Sequence, residues 1–246
     1  MSRHPDIQVL FSDAALLAVN KPAGLATLPD GYNPSLPHIK SLLEAQYGRL
    51  WIVHRLDKET SGVLLLARSA QAHRLLNTQF EKHLVSKVYH AVVRGNIAWI
   101  EKTVDLPLRP NGDRRHRTVV DTQAGKPAVT HFKVLENLGA YCFLEAIPET
   151  GRTHQIRAHL AAVGLSILGD KLYTRTSHQT RGVASAASEQ ENNPAFNTSA
   201  SMALHAYSLE ISHPLSGERL KFTAPYPAGL AALLERLRSV HSGGKE

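Results

Sequence analysis

The chain has 246 residues, of which 43% are hydrophobic, and its 28 Lys and Arg against 21 Asp and Glu give a formal net charge of +7. That apolar fraction excludes global disorder and is enough for one large domain or two small ones, while the basic excess suits a polyanionic partner such as nucleic acid. A single cysteine, Cys142, excludes an internal disulfide and a cysteine-based zinc cluster; no apolar run approaches the ~18 residues of a membrane span, and no secretory pattern opens the chain, so a cytoplasmic protein is expected.

In chain order, Ala15 to Asn20 is a short, strongly apolar run of the kind that forms a buried strand. Ile39, Leu42, Leu43 and Tyr47 follow helical spacing after a start at Asn33-Pro34-Ser35. The run His54-Arg55-Leu56-Asp57-Lys58-Glu59-Thr60-Ser61-Gly62 then leads into the apolar stretch ending at Ala67. A second helix is predicted through Ala72, Leu75, Leu76 and Phe80, capped by Ser69. Ser86 to Arg94 alternates, placing Val88, His90 and Val92 opposite Lys87, Tyr89, Ala91 and Val93.

The segment Arg109 to Lys126 carries Arg109, Arg114, Arg115 and Arg117 between the turn signals Asn111-Gly112 and Ala124-Gly125. Its positive charge reads as concentrated without matching acids, which predicts a phosphate-contacting hairpin. Val129 to Leu135 and Tyr141 to Ile147 read as a strand pair. Arg152, Thr153 and Gln155 open a helix after Gly151, and the free N–H groups of such a helix start suit a phosphate. Residues 174–201, poor in large apolar side chains, read as a flexible insertion in a single domain spanning residues 1–246. A last helix follows Pro227 through Leu230, Leu233, Leu234 and Leu237. Hairpins outnumber alternating βα units, so the predicted class is α+β with a large, mainly antiparallel mixed sheet flanked by helices.

Chemistry concentrates at Asp57. It lies between Arg55 and Lys58, whose positive charge favours the ionised carboxylate, while Thr60, Ser61 and Gly62 let the turn close. A positioned carboxylate at a strand edge is a candidate nucleophile, although spacing alone is equally consistent with a charged loop. There is no glycine-rich dinucleotide or phosphate-binding loop, and His54, His154 and His159 lack metalloprotease spacing, so neither cofactor nor metal is expected. Two other readings stay open on these grounds. Asp57 with Glu59 or Glu149 would make the acid–base pair of an N-glycoside hydrolase, and a basic RNA-binding protein without catalysis would need no carboxylate at all.

The nine-residue run from His54 to Gly62 resembles the signature of the RluA-type pseudouridine synthases. Further segments agree in order: Leu16 to Thr27 with its Lys-Pro-x-Gly turn, Lys87-Val88-Tyr89 with Ala91 and Gly95, Glu149 to Leu160 with Gly169-Asp170 and Tyr173, and Leu204-His205-Ala206 with His213-Pro214 and Ala224-Pro225. The resemblance implies the pseudouridine synthase fold with a central RNA-binding cleft, and isomerisation of uridine in rRNA or tRNA. It implies that Asp57 is the catalytic nucleophile, whether by attack on ribose C1′, by addition to the base or by assisting elimination to a glycal; that Tyr89 packs on the target uracil and is a candidate for proton transfer; and that Arg157 pairs with Asp57 through a bidentate contact. It further implies that Arg55 fills the gap left by a flipped base. His54, Thr60, Arg152, Thr153, Gln155 and Ile156 are expected at the RNA, together with Arg114, Arg115 and Arg117. A monomer is expected, and nothing resembling the small S4 RNA-binding domain precedes the first matched strand. The chain departs from the family before Leu204, where Ser201, Met202 and Ala203 stand in place of the usual arginine.

Overall fold

The computed structural model describes residues 7–29, 31, 33–174 and 201–243. The chain runs β1 (Gln8–Ser12), β2 (Leu16–Lys21), α1 (Ile39–Tyr47), β3 (Trp51–Ile52), β4 (Ser61–Ala67), α2 (Ala70–Glu81), β5 (Ser86–Arg94), β6 (Glu101–Asp105), β7 (Leu108–Arg109) and β8 (Val119–Val120). It continues through β9 (Val129–Asn137), β10 (Tyr141–Pro148), α3 (Gln155–Ala162), β11 (Ser166–Ile167), β12 (Leu204–Ser212), β13 (Arg219–Thr223) and α4 (Ala228–Gly243). All but β7 and β8 join one sheet, whose main path is β1-β2-β4-β12-β5-β10-β9-β6. The β4–β12 pair is parallel and its neighbours on that path are antiparallel. The architecture is the α+β class predicted, with a mainly antiparallel mixed sheet.

The uninterrupted apolar runs of β2 and β4 follow from helices on both faces of that part of the sheet. Leu16 and Leu65 pack with Ala72 and Leu76 of α2, whereas Leu17, Leu64 and Leu66 pack with Ile39 and Leu43 of α1. Burying each of these leucines contributes roughly 1.5–3 kcal/mol over leaving it exposed. A second body of core lies under β5, β9 and β10, covered by Ile156 and Leu160 of α3 and by Leu230, Leu233, Leu234 and Leu237 of α4. Met202 and Ala203 are buried in this second core and give the entry to β12 apolar packing.

Ser69 caps α2 as expected, its side chain accepting from the Ala72 N–H at 3.1 Å. The start of α1 differs from expectation: it begins at Ile39, not at Asn33-Pro34-Ser35, and its cap is His38. His38 Nδ1 accepts from the Ser41 N–H (3.2 Å) while Ser41 Oγ accepts from the His38 N–H (3.3 Å), a reciprocal box made without the usual capping residues. Residues 175–200, which make up nearly all of the predicted insertion, lie outside the described residues.

One row of the sheet positions the site. Lys21 pairs with Gly62, Gly62 with Ala206, Ala206 with Tyr89, and Tyr89 with Ala146, crossing β2, β4, β12, β5 and β10. Gly62 has φ +114°, and a Cβ there would stand 2.2 Å from the Ala206 carbonyl oxygen. Only glycine permits the parallel strands to approach this closely, which is the physical reason for the Ser-Gly that closes the Asp57 turn.

Candidate active site

A cavity of about 570 Å³ opens beside this row, and Asp57, Thr60, Tyr89, His154 and Arg157 are among the residues lining it. The loop that carries Asp57 is stapled to the turn after β2. The Gly24 N–H donates to the Lys58 carbonyl (2.8 Å), Thr27 Oγ1 donates to the Leu56 carbonyl (3.0 Å), and the Leu56 N–H donates back to Thr27 Oγ1 (3.3 Å). Lys21, fully buried, gives its ammonium to the carbonyls of Leu25, Pro22 and Lys58 at 2.7, 2.8 and 3.1 Å. Burial pushes the Lys21 pKa down to about 7, with Glu59 and Asp57 pulling the other way. Three carbonyl acceptors match the three hydrogens of its charged form. The Lys-Pro-x-Gly turn thus fixes where Asp57 stands.

The cation that meets Asp57 comes from far along the chain. Arg157 Nη1 lies 3.0 Å from Asp57 Oδ2, whereas Arg55 and Lys58, the expected local partners, are exposed. The expected bidentate contact also belongs to a different carboxylate. Arg157 forks onto Asp170, Nε to Oδ2 at 2.7 Å and Nη2 to Oδ1 at 2.9 Å, and spends only its remaining nitrogen on Asp57. Asp170 is in turn fixed by the N–H groups of Leu172 (2.9 Å) and Tyr173 (3.1 Å). Burial disfavours both charges, yet the pairing outweighs it: the Arg157 pKa is raised and the Asp170 pKa lowered. The guanidinium is a preformed arm, held by one carboxylate and offered to another.

Tyr89 lines the cavity on β5, and burial, reinforced by Asp57, pushes its phenol pKa up, so it remains protonated. Thr60 is buried in the lining, its N–H donating to the Asp57 carbonyl at 3.1 Å, so its main work is to close the turn. Arg55 is exposed at the cavity wall, free to follow a substrate.

The other expected site residues divide between cavity lining and framework. His54 lines the cavity and is held there by the framework: Nε2 accepts from the Leu65 N–H (2.9 Å), the ring stacks on Phe80 at 4.9 Å, and burial pushes its pKa down to about 3. Gln155 is buried and saturated, accepting from Thr150 Oγ1 (2.6 Å) and the Arg152 N–H (3.0 Å) and donating to the Val129 carbonyl and Thr130 Oγ1. The Arg152 N–H is therefore not free for phosphate, although the Arg152 side chain does line the cavity. Ile156 is core as well as cavity wall, and Thr153 is exposed outside the lining residues.

Arg114, Arg115 and Arg117 lie in the β7–β8 hairpin and do not line the cavity. Their segment holds matching acids after all: Arg109 pairs with Asp121 and Arg117 with Asp113, each at 2.6 Å. Arg115 donates to the Lys171 carbonyl (3.0 Å), and the hairpin's Thr118 N–H donates to Tyr173 Oη (2.8 Å).

His154 is not among the site residues that the sequence predicts. His154 caps α3 in the left-handed region (φ 52°, ψ 23°) without any side-chain cap hydrogen bond, and its Nε2 stands 3.6 Å from Asp57 Oδ2. That backbone costs an L-residue roughly 1–2 kcal/mol, and such strain concentrates at functional sites. Sequence offered no signal beyond its place in the Thr-His-Gln run.

These elements define an enzyme-type site, with a carboxylate on a rigid loop, a guanidinium to hold it, and a tyrosine at a cavity large enough for a nucleotide. The sequence model described as RNA pseudouridylate synthase matches residues 15–162. A protein of Nitrosomonas europaea named ribosomal large subunit pseudouridine synthase D is 38% identical over 239 residues, covering 95% of this chain and 66% of its own length. One of the same name from Zymomonas mobilis is 34% identical over 241 residues, 94% of this chain and 73% of its own length. Among solved structures, human RNA pseudouridylate synthase domain containing 4 superposes with a TM-score of 0.74 at 26% identity, covering 94% of this chain and 93% of its own. The chain belongs to the RNA pseudouridylate synthase family, whose members are isomerases acting on RNA uridine.

Proposed function

We propose that this chain isomerises uridine to pseudouridine in folded large-subunit ribosomal RNA, with Asp57 as the nucleophilic carboxylate. The observation that carries the reading is the Asp170–Arg157–Asp57 chain of contacts at the cavity beside Tyr89. The ribosomal assignment follows the names of the relatives, and transfer RNA is the competing substrate. The target base is drawn out of its stack at a cost of a few kcal/mol. Tyr89 supplies an apolar ring for it to lie on, and Arg55 is free to occupy the space it leaves. As the bond from ribose C1′ to base N1 breaks, N1 departs with the bonding pair and a carboxylate oxygen of Asp57 bonds to C1′ in its place, to be displaced when C5 rejoins the sugar. Arg157 fixes the carboxylate that does so, and the base then rotates and rejoins through C5. The reaction needs no redox partner. Among the described residues, no helix is long and apolar enough to cross a membrane, and no group of three or more His, Cys, Asp or Glu side chains is placed to hold a metal. A cytoplasmic monomer fits this role.

The test replaces Asp57 by Asn, which keeps the shape and removes the charge. Pseudouridine mapped across total RNA from cells carrying either version should lose one or more large-subunit sites in the variant. Retention of every site would sink the assignment of Asp57, and loss confined to transfer RNA would move the substrate.

A further inference from the structure

Rejoining the base through C5 leaves a proton that must be removed from C5, and a group must take it. Asp57 is engaged with the sugar. Tyr89 is held in its protonated form, and the one acceptor nitrogen of His54 is used by the Leu65 N–H. Lys87, also in the lining, holds its ammonium against the Thr150 carbonyl at 3.1 Å. That leaves His154.

The hydrogen bonds around His154 decide which of its nitrogens can act. Its Nδ1 lies 3.3 Å from Tyr173 Oη. That hydroxyl already donates to the Thr118 carbonyl (3.1 Å) and accepts from the Thr118 N–H (2.8 Å). The carbonyl contact is the shorter of the two and the Thr118 oxygen can only accept, so the phenol hydrogen belongs there and we assign the proton of the neutral His154 ring to Nδ1, with a lone pair on Nε2. The ring is seated edge-on against Tyr173, at 5.8 Å and 87°. Its Nε2 lies beside Asp57, in the wall of the same cavity. Burial lowers the His154 pKa from the ordinary histidine value; Arg157 and Arg55 push the same way, and Asp57 and Asp170 oppose them.

We propose that His154 Nε2 is the base that takes the proton from C5 and returns it to N1. This rests on the pseudouridine synthase reading above. When C5 bonds to C1′, the ring becomes neutral, with a C6=N1 double bond and a tetrahedral C5 bearing its hydrogen and the ribose. Asp57 is at that moment released as a carboxylate. His154 Nε2 takes the C5 proton, the C5–H pair re-forms C5=C6, and the C6=N1 pair moves onto N1. The imidazolium, stabilised by the freed Asp57, then protonates N1, and substrate and product differ only in connectivity.

The test uses His154→Asn, since asparagine tolerates the left-handed backbone but offers no base. Large-subunit ribosomal RNA transcripts carry either 5-tritiated uridine or 5-fluorouridine, whose C5 has no proton to lose. Tritium release by the variant should fall on the order of 10²–10⁴-fold, while transfer of ribose to C5 of 5-fluorouridine stays within a few fold of the parent protein. In the parent, tritium release should decline as acid protonates His154 and the fluorinated reaction should not share that decline. Equal losses on both transcripts would overturn the proposal by making His154 a merely structural cap, and undiminished tritium release would overturn it outright. Asp57→Asn separates this from the parent reading, because it must abolish both reactions. A parent protein inactive on both transcripts refutes the parent reading, and this inference with it.

Discussion

Two arginine-bearing regions, both basic in sequence, are used in opposite ways. Arg157 is buried on α3 and divides one guanidinium between Asp170 and Asp57, partners 13 and 100 residues away. In the β7–β8 hairpin, Arg109 and Arg117 pair with Asp121 and Asp113 of their own hairpin, and these arginines stay partly exposed. The first arrangement spends burial to fix a charge in place, since a desolvated pair is strong only when every hydrogen bond is made. The second sits near water, where ion pairs are screened and contribute little. The two regions nevertheless touch, because Tyr173 joins Thr118 of the hairpin to His154 and lies under the Arg157 guanidinium at 5.0 Å.

The sharpest break of this comparison is Arg157→Met. It leaves Asp170 buried without a counter-ion and should cost about 3–5 kcal/mol in urea unfolding, with loss of turnover. Arg109→Met should leave the unfolding midpoint nearly unmoved, and equal losses from the two would refute the distinction. The pH dependence has a definite sign. Asp170 is held below the ordinary carboxylate value of 3.8, so its contribution is present above that pH and is lost as acid protonates it in the folded state. The extra acid sensitivity should be absent from Asp170→Asn.

A smaller effect is expected at the strand crossing that brings Asp57 to the cavity. Gly62→Ala adds a methyl 2.2 Å from the Ala206 carbonyl oxygen at φ +114°, so a loss of at least about 1–2 kcal/mol follows from the backbone alone. Urea unfolding of this variant measures it. A neutral result would mean that β4 and β12 can separate without cost, and that the closeness of this pair does not set the site.

Much of this was legible in the sequence because it depends on local periodicity. The runs of β2 and β4, the alternation of β5, and the Ser69 cap follow from side-chain patterns that need no distant partner. Asp57, Tyr89 and Arg157 were reached through motifs resembling a family, and they do meet at one cavity. What the sequence does not reveal depends on geometry. Gln155 and His54 are polar residues in motif positions, yet each is consumed by backbone groups brought in from other strands. His154 stands out only once its backbone angles and its distance to Asp57 are known. Asp113 and Asp121 lie within the arginine-rich segment, but only the hairpin fold turns them onto Arg117 and Arg109.

The least disruptive test asks how much of the hairpin is left to meet RNA. Arg117 is tied to Asp113, and Arg115 gives one N–H to the Lys171 carbonyl, leaving four of its five donors. Arg114 is exposed. If Arg114 and Arg115 contact phosphates, changing both to Gln should reduce the log–log salt slope of RNA binding by roughly 1.4–1.8, at about 0.7–0.9 per contact. Arg117→Gln should leave the slope unchanged, because its charge is already matched within the hairpin. Turnover at saturating RNA should be nearly the same in all three backgrounds, since contacts that position the RNA backbone do not touch the reacting base. A slope change in Arg117→Gln equal to that from Arg114 or Arg115 would show that the Asp113 pair opens on binding. No change in any of them would make the hairpin a buttress for Tyr173 alone and move the RNA footprint to Arg55 and Arg152 at the cavity wall.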